Sequence, residues 1–355
     1  MWWPDGPCRK GAGEPRHADL GARLAELTDT IEKDMAIPGQ VVRRRHNFRV
    51  TAIGDRVFNL TTLLLALVTL ALLFGLTIVL VVQSMPSIKQ FGFSFLVSTN
   101  WDPANDSYGA LPFIYGTVVS SAVALLIAVP LSLGVALCLS EMAPASLSRK
   151  LGFLVELLAA IPSVVYGLWA IFVLGPWLRD YIEPPLGKTL GFLPLFQGPR
   201  MSVGMMTAAV VLAIMVLPYI TAVCTDVFRV VPQTQREAAL ALGATKWEMV
   251  RIAVLPFGLS GVIGAIILGL GRALGETIAV AMVIGNRPEI SASLFKPSST
   301  LASVIANEFV EATSTLNLAA LIELGLVLLA LGLVLNVVAR VLVAGVTQRR
   351  FSGAK

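Results

Sequence analysis

Two ionisable side chains stand where their neighbours exclude charge. The stretch GLGRALGETIAV, residues 269–280, lies inside an apolar run from Phe257 to Gly285 and carries Arg272 and Glu276. On insertion-based scales each charge costs about 2.5–3.5 kcal/mol at the middle of a membrane helix, so it faces a protein interior or an aqueous path. In a continuous helix a spacing of four places the two one turn apart on one face. The chemistry on offer is oxyanion handling. A guanidinium presents a planar fork that can grip an oxyanion with two N–H groups, and a carboxylate beside it can hold the fork in place. The competing role is a structural ion pair between packed helices, with Gly271 and Gly275 in GxxxG spacing. Glu323, in a later apolar run, is a further candidate for the path. Glu156 is a weaker one, with Arg149 and Lys150 close by in sequence.

Nothing else in the chain assembles into covalent or acid–base catalysis. Its two histidines, His17 and His46, precede the first apolar run, and Cys8, Cys138 and Cys224 lack the spacing of a zinc site or a disulfide framework. Gly187-Lys188-Thr189 ends like a phosphate-binding P-loop, but Ile182 stands where that pattern needs its first glycine. The chain is therefore expected to be no enzyme and to bind no metal, nucleotide or other cofactor itself.

The elements that must position these residues follow from composition. With 355 residues, 56% hydrophobic and 14% charged side chains and a mean hydropathy of +0.79, the chain falls outside the pattern of a soluble domain. It reads as an all-α polytopic membrane protein. Apolar windows long enough to cross about 30 Å of hydrocarbon occur at 60–84, 113–140, 151–177, 201–226, 257–285 and 317–341, which predicts six transmembrane helices. Pro162 and Gly175-Pro176 interrupt the third. With the N-terminus inside, the inner segments hold 15 Lys and Arg and the outer segments 6, so both termini are predicted to be cytoplasmic.

Residues 1–56 form a cytoplasmic tail without the apolar core of a signal peptide, residues 57–345 the membrane domain, and residues 346–355 a second tail. Leu20, Leu24, Leu27 and Ile31 recur at helical spacing in the first tail, compatible with a short amphipathic helix or a mobile segment; Met35 is an alternative start. The basic run Arg43-Arg44-Arg45, with Arg49 and Arg56, sits where positive charge orients the first span against anionic lipid, and is not read as a nucleic-acid site.

The segment 230–256 is long for a connection between spans and is patterned as helix, turn, helix. Pro232 opens the first helix, Gly243 stops it, and Thr245 with Glu248 forms a capping box for the second. Ala238 and Ala239 allow close approach by another protein, and Arg236 and Glu237 supply charges to orient it. The outer segment from Trp101 to Asp106 has turn chemistry and an aromatic anchor, suiting either a contact for a delivering protein or an ordinary solvated turn.

Glu237-Ala238-Ala239, Gly243 and Leu255-Pro256 together resemble the EAA loop of permease subunits of ATP-driven importers, although Ala253 stands where that pattern usually has Ile. The stretches at 269–286, 156–169 and 99–117 resemble the permease subunits of phosphate importers, and with the loop they extend the likeness over about 57–345. The resemblance implies a type I ABC importer permease in the bacterial cytoplasmic membrane. Its implied partners are a second related permease, two ATPase subunits that use ATP and Mg, docked on Glu237, Ala238, Ala239 and Gly243, and a phosphate-binding protein outside. It places Arg272, with Glu276 and Glu323, in the substrate path. Two alternatives stay open: a permease of the same architecture for sulfate or molybdate, and a secondary transporter driven by an ion gradient.

Overall fold

The computed structural model describes the backbone of residues 48–352 and the side chains of residues 54–341; the expected tail helix at 20–31 and most of the basic run lie outside these. Within them the chain is helical apart from its connecting loops, and extended backbone pairs only in two isolated bridges, Asp102 with Ser107 and Gly285 with Ser298. The chain divides into two units, residues 1–72 and 73–355.

Helix α1 (Phe48–Phe91) belongs to both units. In the first, Val57, Phe58, Leu60, Leu63 and Leu65 circle the helix and are all exposed. A helix apolar on every side is suited to hydrocarbon. The second unit holds α2 (Leu111–Leu137), α3 (Ala145–Ala160), α4 (Ser163–Thr189) and α5 (Met205–Arg229). These are followed by α6 (Gln233–Ala241), α7 (Lys246–Gly275), α8 (Ile278–Val283), α9 (Leu301–Glu308) and α10 (Thr315–Ser352).

Helix α5 is the core of this unit: 67% of its central window is buried, against 28% in α2, α7 and α10. Ala208, Val211, Leu212, Val216 and Ile220 are buried on several of its sides, and the exposed residues form one stripe in its second half, Tyr219, Ala222, Asp226 and Arg229. Against it α2 sets a stripe of buried small residues spaced four apart, Ala124, Ala128, Ser132 and Ala136. In lipid, helices associate through close van der Waals contact rather than apolar transfer, which small side chains permit. Ser132 also donates a 3.0 Å hydrogen bond to the Leu217 carbonyl of α5.

At the start of α2 the contact is tighter still. A Cβ on Gly116 would overlap the backbone carbonyl of Ser299, and Thr117 Oγ1 next to it accepts from the Leu301 N–H at 2.9 Å, satisfying the first turn of α9. Gly116→Ala therefore has to push backbone apart. It is expected to destabilise the protein by about 1–3 kcal/mol, read as a lower thermal midpoint of the purified protein.

The third apolar window is not one straight helix. The chain bends by 89° between α3 and α4. Pro162 has no N–H for the Leu158 carbonyl, and Ile161 before it is extended at φ −66°, ψ 129°. Tyr166 Oη takes over that carbonyl at 2.9 Å and ties the elbow. The second expected interruption, Gly175-Pro176, is no break at all. The helix widens there, the Gly175 N–H reaching back five residues to Ala170, and runs on to Thr189. Among the described residues, five helices can each cross a membrane by length and apolar character, and the α3–α4 pair makes a sixth when taken together.

The fifth window also departs from expectation. Helix α7 ends at Gly275, ten residues before the apolar run does, and Glu276 is extended at φ −69°, ψ 123°. Arg272 and Glu276 thus do not share a helix face: one lies in the last turn and the other beyond it.

Candidate functional site

Arg272 occupies the C-terminal turn of α7, where a cation meets the carbonyl end of the helix dipole. Its Cζ lies 4.2 Å from the ring centroid of Tyr219 on α5, a cation–π contact. Its Nε is buried and makes no hydrogen bond. The ion pairs among the described residues are Arg179–Asp180, Arg229–Asp226 and Arg236–Glu141, and Arg272 is in none of them. Glu276, expected to hold the guanidinium, is half-buried outside the helix. The packing role expected for Gly271 and Gly275 is not realised within this chain, since a Cβ on either would meet nothing within 4 Å. The arrangement is a guanidinium held by an aromatic face beside open space, with no carboxylate of the described residues neutralising it. Such a group can engage an oxyanion without first breaking a salt bridge.

Glu323 belongs to different surroundings. It is 6% exposed on α10, with the hydroxyl of Ser87, on the second-unit part of α1, as its near polar neighbour. The structure thus brings Arg272 to Tyr219 and Glu323 to Ser87. Glu156 lies on the wall of a crevice of about 620 Å³ that Arg149 and Arg229 also line. A further carboxylate went unnoticed in the sequence: Glu183 of α4 is fully buried with both oxygens unbonded. Its flanking Arg179, Asp180 and Pro184 read as an outer loop, and only the continuation of α4 to Thr189 takes it inside.

At the opposite side of the chemistry stands the 230–256 segment. Pro232 precedes α6, Gly243 takes φ +85°, a left-handed value that side-chain-bearing residues rarely adopt, and Thr245 and Glu248 exchange the reciprocal bonds of a capping box. Arg236 turns inward, contrary to the expectation that it orients a partner. Its Nη2 and Nε reach Glu141 Oε1 and Oε2 at 2.8 and 3.2 Å. It also donates to the carbonyls of Val231 and Phe228, each at 2.7 Å. One guanidinium therefore closes the end of α5 and binds the segment after α2 to α6. Glu237 and Ala238 face outward and Ala239 is half-buried. Around them Leu240, Leu242 and Trp247 are 44%, 90% and 60% exposed, an apolar surface at the tip of the segment.

The loop before α2 is anchored rather than presented. Trp101 is buried, donates from Nε1 to Glu308 Oε2 at 2.9 Å, and packs edge-on to Tyr108 and Phe113. It is a core residue, not an anchor at a membrane surface. Burial raises the Glu308 carboxyl above its ordinary pKa, and the Trp101 hydrogen bond opposes this in part. Asp102 closes the turn by accepting from Asn105 Nδ2 at 2.7 Å and from the Ala104 N–H at 3.1 Å. Those bonds, the Asn105 one foremost, hold its carboxyl below the usual carboxylate range.

Residues 128–349 match the family described as binding-protein-dependent transport system inner membrane component. The chain is 43% identical over 318 residues to the phosphate transport system permease protein PstC of Mesorhizobium japonicum, covering 88% of this chain and 97% of that protein. It is 46% identical over 332 residues to the protein of the same name from Xylella fastidiosa, covering 91% and 99%. For the Haemophilus influenzae protein of that name the figures are 44% over 314 residues, covering 87% and 99%. Among solved structures, an inward-facing MetNI methionine ABC transporter aligns with 18% identity and a TM-score of 0.47 over 67% of this chain and 94% of that one.

Proposed function

The chain belongs to the binding-protein-dependent transport system inner membrane component family, and from that premise we propose that it is a permease subunit of an ATP-driven importer for inorganic phosphate. It is a multi-pass protein of the bacterial cytoplasmic membrane, with both termini inside, and forms part of the translocation path together with a second, related permease. Phosphate reaches it from an external binding protein. Two ATPase subunits dock on the exposed surface of α6, around Glu237, Ala238 and Gly243, and bind the ATP and Mg that the cycle uses; the chain itself binds no cofactor. ATP binding and hydrolysis in those partners move α6 and, through Arg236, the ends of α2 and α5.

The observation that carries the reading is Arg272: a guanidinium in the last turn of α7, held over the Tyr219 ring at 4.2 Å and outside every ion pair of the described residues, with the open positions of Gly271 and Gly275 close by in the chain. Support for phosphate as the substrate comes from the names of the relatives. In proteoliposomes holding this chain, the second permease, the ATPase and the binding protein, phosphate uptake is expected to require ATP and to resist excess sulfate and molybdate. Uptake that persists without the ATPase, or that sulfate suppresses as well as unlabelled phosphate does, overturns the assignment.

A further inference from the structure

The contact between α5 and α7 sets one aromatic ring over one cation with little freedom to slip. Gly269 of α7 lies against Val216 and Ile220 of α5, so closely that a Cβ there would meet both side chains at 3.0 Å or less. Ile220 adjoins Tyr219 in the chain, and Arg272 follows Gly269 by three residues, close to one helical turn. The close approach at Gly269 therefore fixes the height of the Tyr219 ring relative to the guanidinium. Helix α5 is the most buried of the membrane-length helices, which makes it a rigid base, yet Tyr219 itself is 40% exposed, at the rim of that base.

An aromatic face and a carboxylate hold a guanidinium in different ways. A carboxylate takes up the in-plane N–H groups and cancels the charge, whereas a ring attracts the cation through its quadrupole from above the plane and leaves those edges in place. Arg272 has the ring at 4.2 Å, and Nε on its stem side is buried without a partner. We infer that Tyr219 is the positioning residue for Arg272, holding the guanidinium by its face so that its terminal nitrogens meet a passing phosphate. This rests on the reading of Arg272 as a path residue. It is the ring, not the phenol hydroxyl, that does the holding.

The test replaces Tyr219 in the assembled four-component importer by Phe, by Leu, and by phenylalanines carrying one, two and three fluorines, which withdraw the ring's negative face with little change of shape. Tyr219→Phe is expected to retain uptake within about twofold, and Tyr219→Leu to lower it by about tenfold, the scale of a cation–π contact out of water. Along the fluorinated series uptake is expected to fall stepwise, a dependence that filling space does not produce. Uptake unchanged along the series in the wild-type background, or Tyr219→Phe as damaging as Tyr219→Leu, overturns the inference. The uptake of Arg272→Gln alone separates the two levels. Normal uptake in that variant removes the path reading and the inference with it, whereas lost uptake in that variant together with a flat fluorine series on wild-type Arg272 removes only the role of Tyr219.

Discussion

Arg272→Lys is expected to lower ATP-dependent phosphate uptake by about a hundredfold while the importer still assembles and binding-protein docking is unchanged. The charge survives this substitution, so the effect isolates geometry. A lysine ammonium is a compact, strongly hydrated point charge with no planar fork, and it stacks less readily on the Tyr219 ring. The size follows the loss seen when one preorganised donor is removed from a site that handles charge. Assembly is expected to survive because Arg272 joins none of the ion pairs among the described residues, and the glycines beside it touch nothing within the chain. Initial uptake rates of labelled phosphate, set against complex recovery by size-exclusion chromatography, give the result. Wild-type rates in Arg272→Lys would make the guanidinium dispensable, and a loss of assembly would make it structural.

The second large effect is at the other end of the molecule. Arg236→Ala leaves Glu141, whose side chain is 7% exposed, without its cation, and frees the carbonyls of Phe228 and Val231. Removing one partner of a buried, bidentate pair costs about 3–5 kcal/mol, mostly from the charge left behind. The thermal midpoint of the complex should fall, and phosphate-stimulated ATP hydrolysis should fall with it, because α6 is no longer tied to the ends of α2 and α5. Adding Glu141→Ala to Arg236→Ala is expected to restore part of the midpoint, since the orphaned carboxylate is gone. Glu237→Ala provides the contrast: its side chain faces outward, so coupling to ATP hydrolysis should weaken while the midpoint holds. Equal midpoints for Arg236→Ala and Glu237→Ala would contradict the inward clamp.

These two residues also mark how far the sequence could be read. Four positions separate Arg272 from Glu276, and a helix was the natural frame for them. The apolar run continues past Gly275 without any residue that compels a stop, yet the chain leaves the helix there. Local preference allowed both outcomes, and the packing of α8, with Ala279, Val280 and Val283 buried among α4 and α5, selected the break. Arg236 was recognisable as part of a coupling segment, but Glu141 lies 95 residues away, and a single chain carries no sign that the two meet. Pro162 announced an interruption and Gly175-Pro176 seemed to announce another. Only the first bends the chain, because the second falls where wide helical turns remove the need for the missing donor.

Composition and period determined the class of molecule, the places of the membrane-length helices, the turn at Gly243 and the capping box that follows it. Each of these depends on residues within one or two turns of each other, or on an average over about 20 positions, and such properties are carried by local sequence. The partners of Arg272 and Arg236, the placement of Glu323 beside Ser87, and the burial of Trp101 and Glu183 were decided by tertiary structure alone. A charge in an apolar run advertises that it needs a partner. Which ring, carboxylate or carbonyl supplies it depends on the register of helices far apart in the chain, here set by close approaches at glycines such as Gly269 on the Ile220 side chain and Gly116 on the Ser299 backbone.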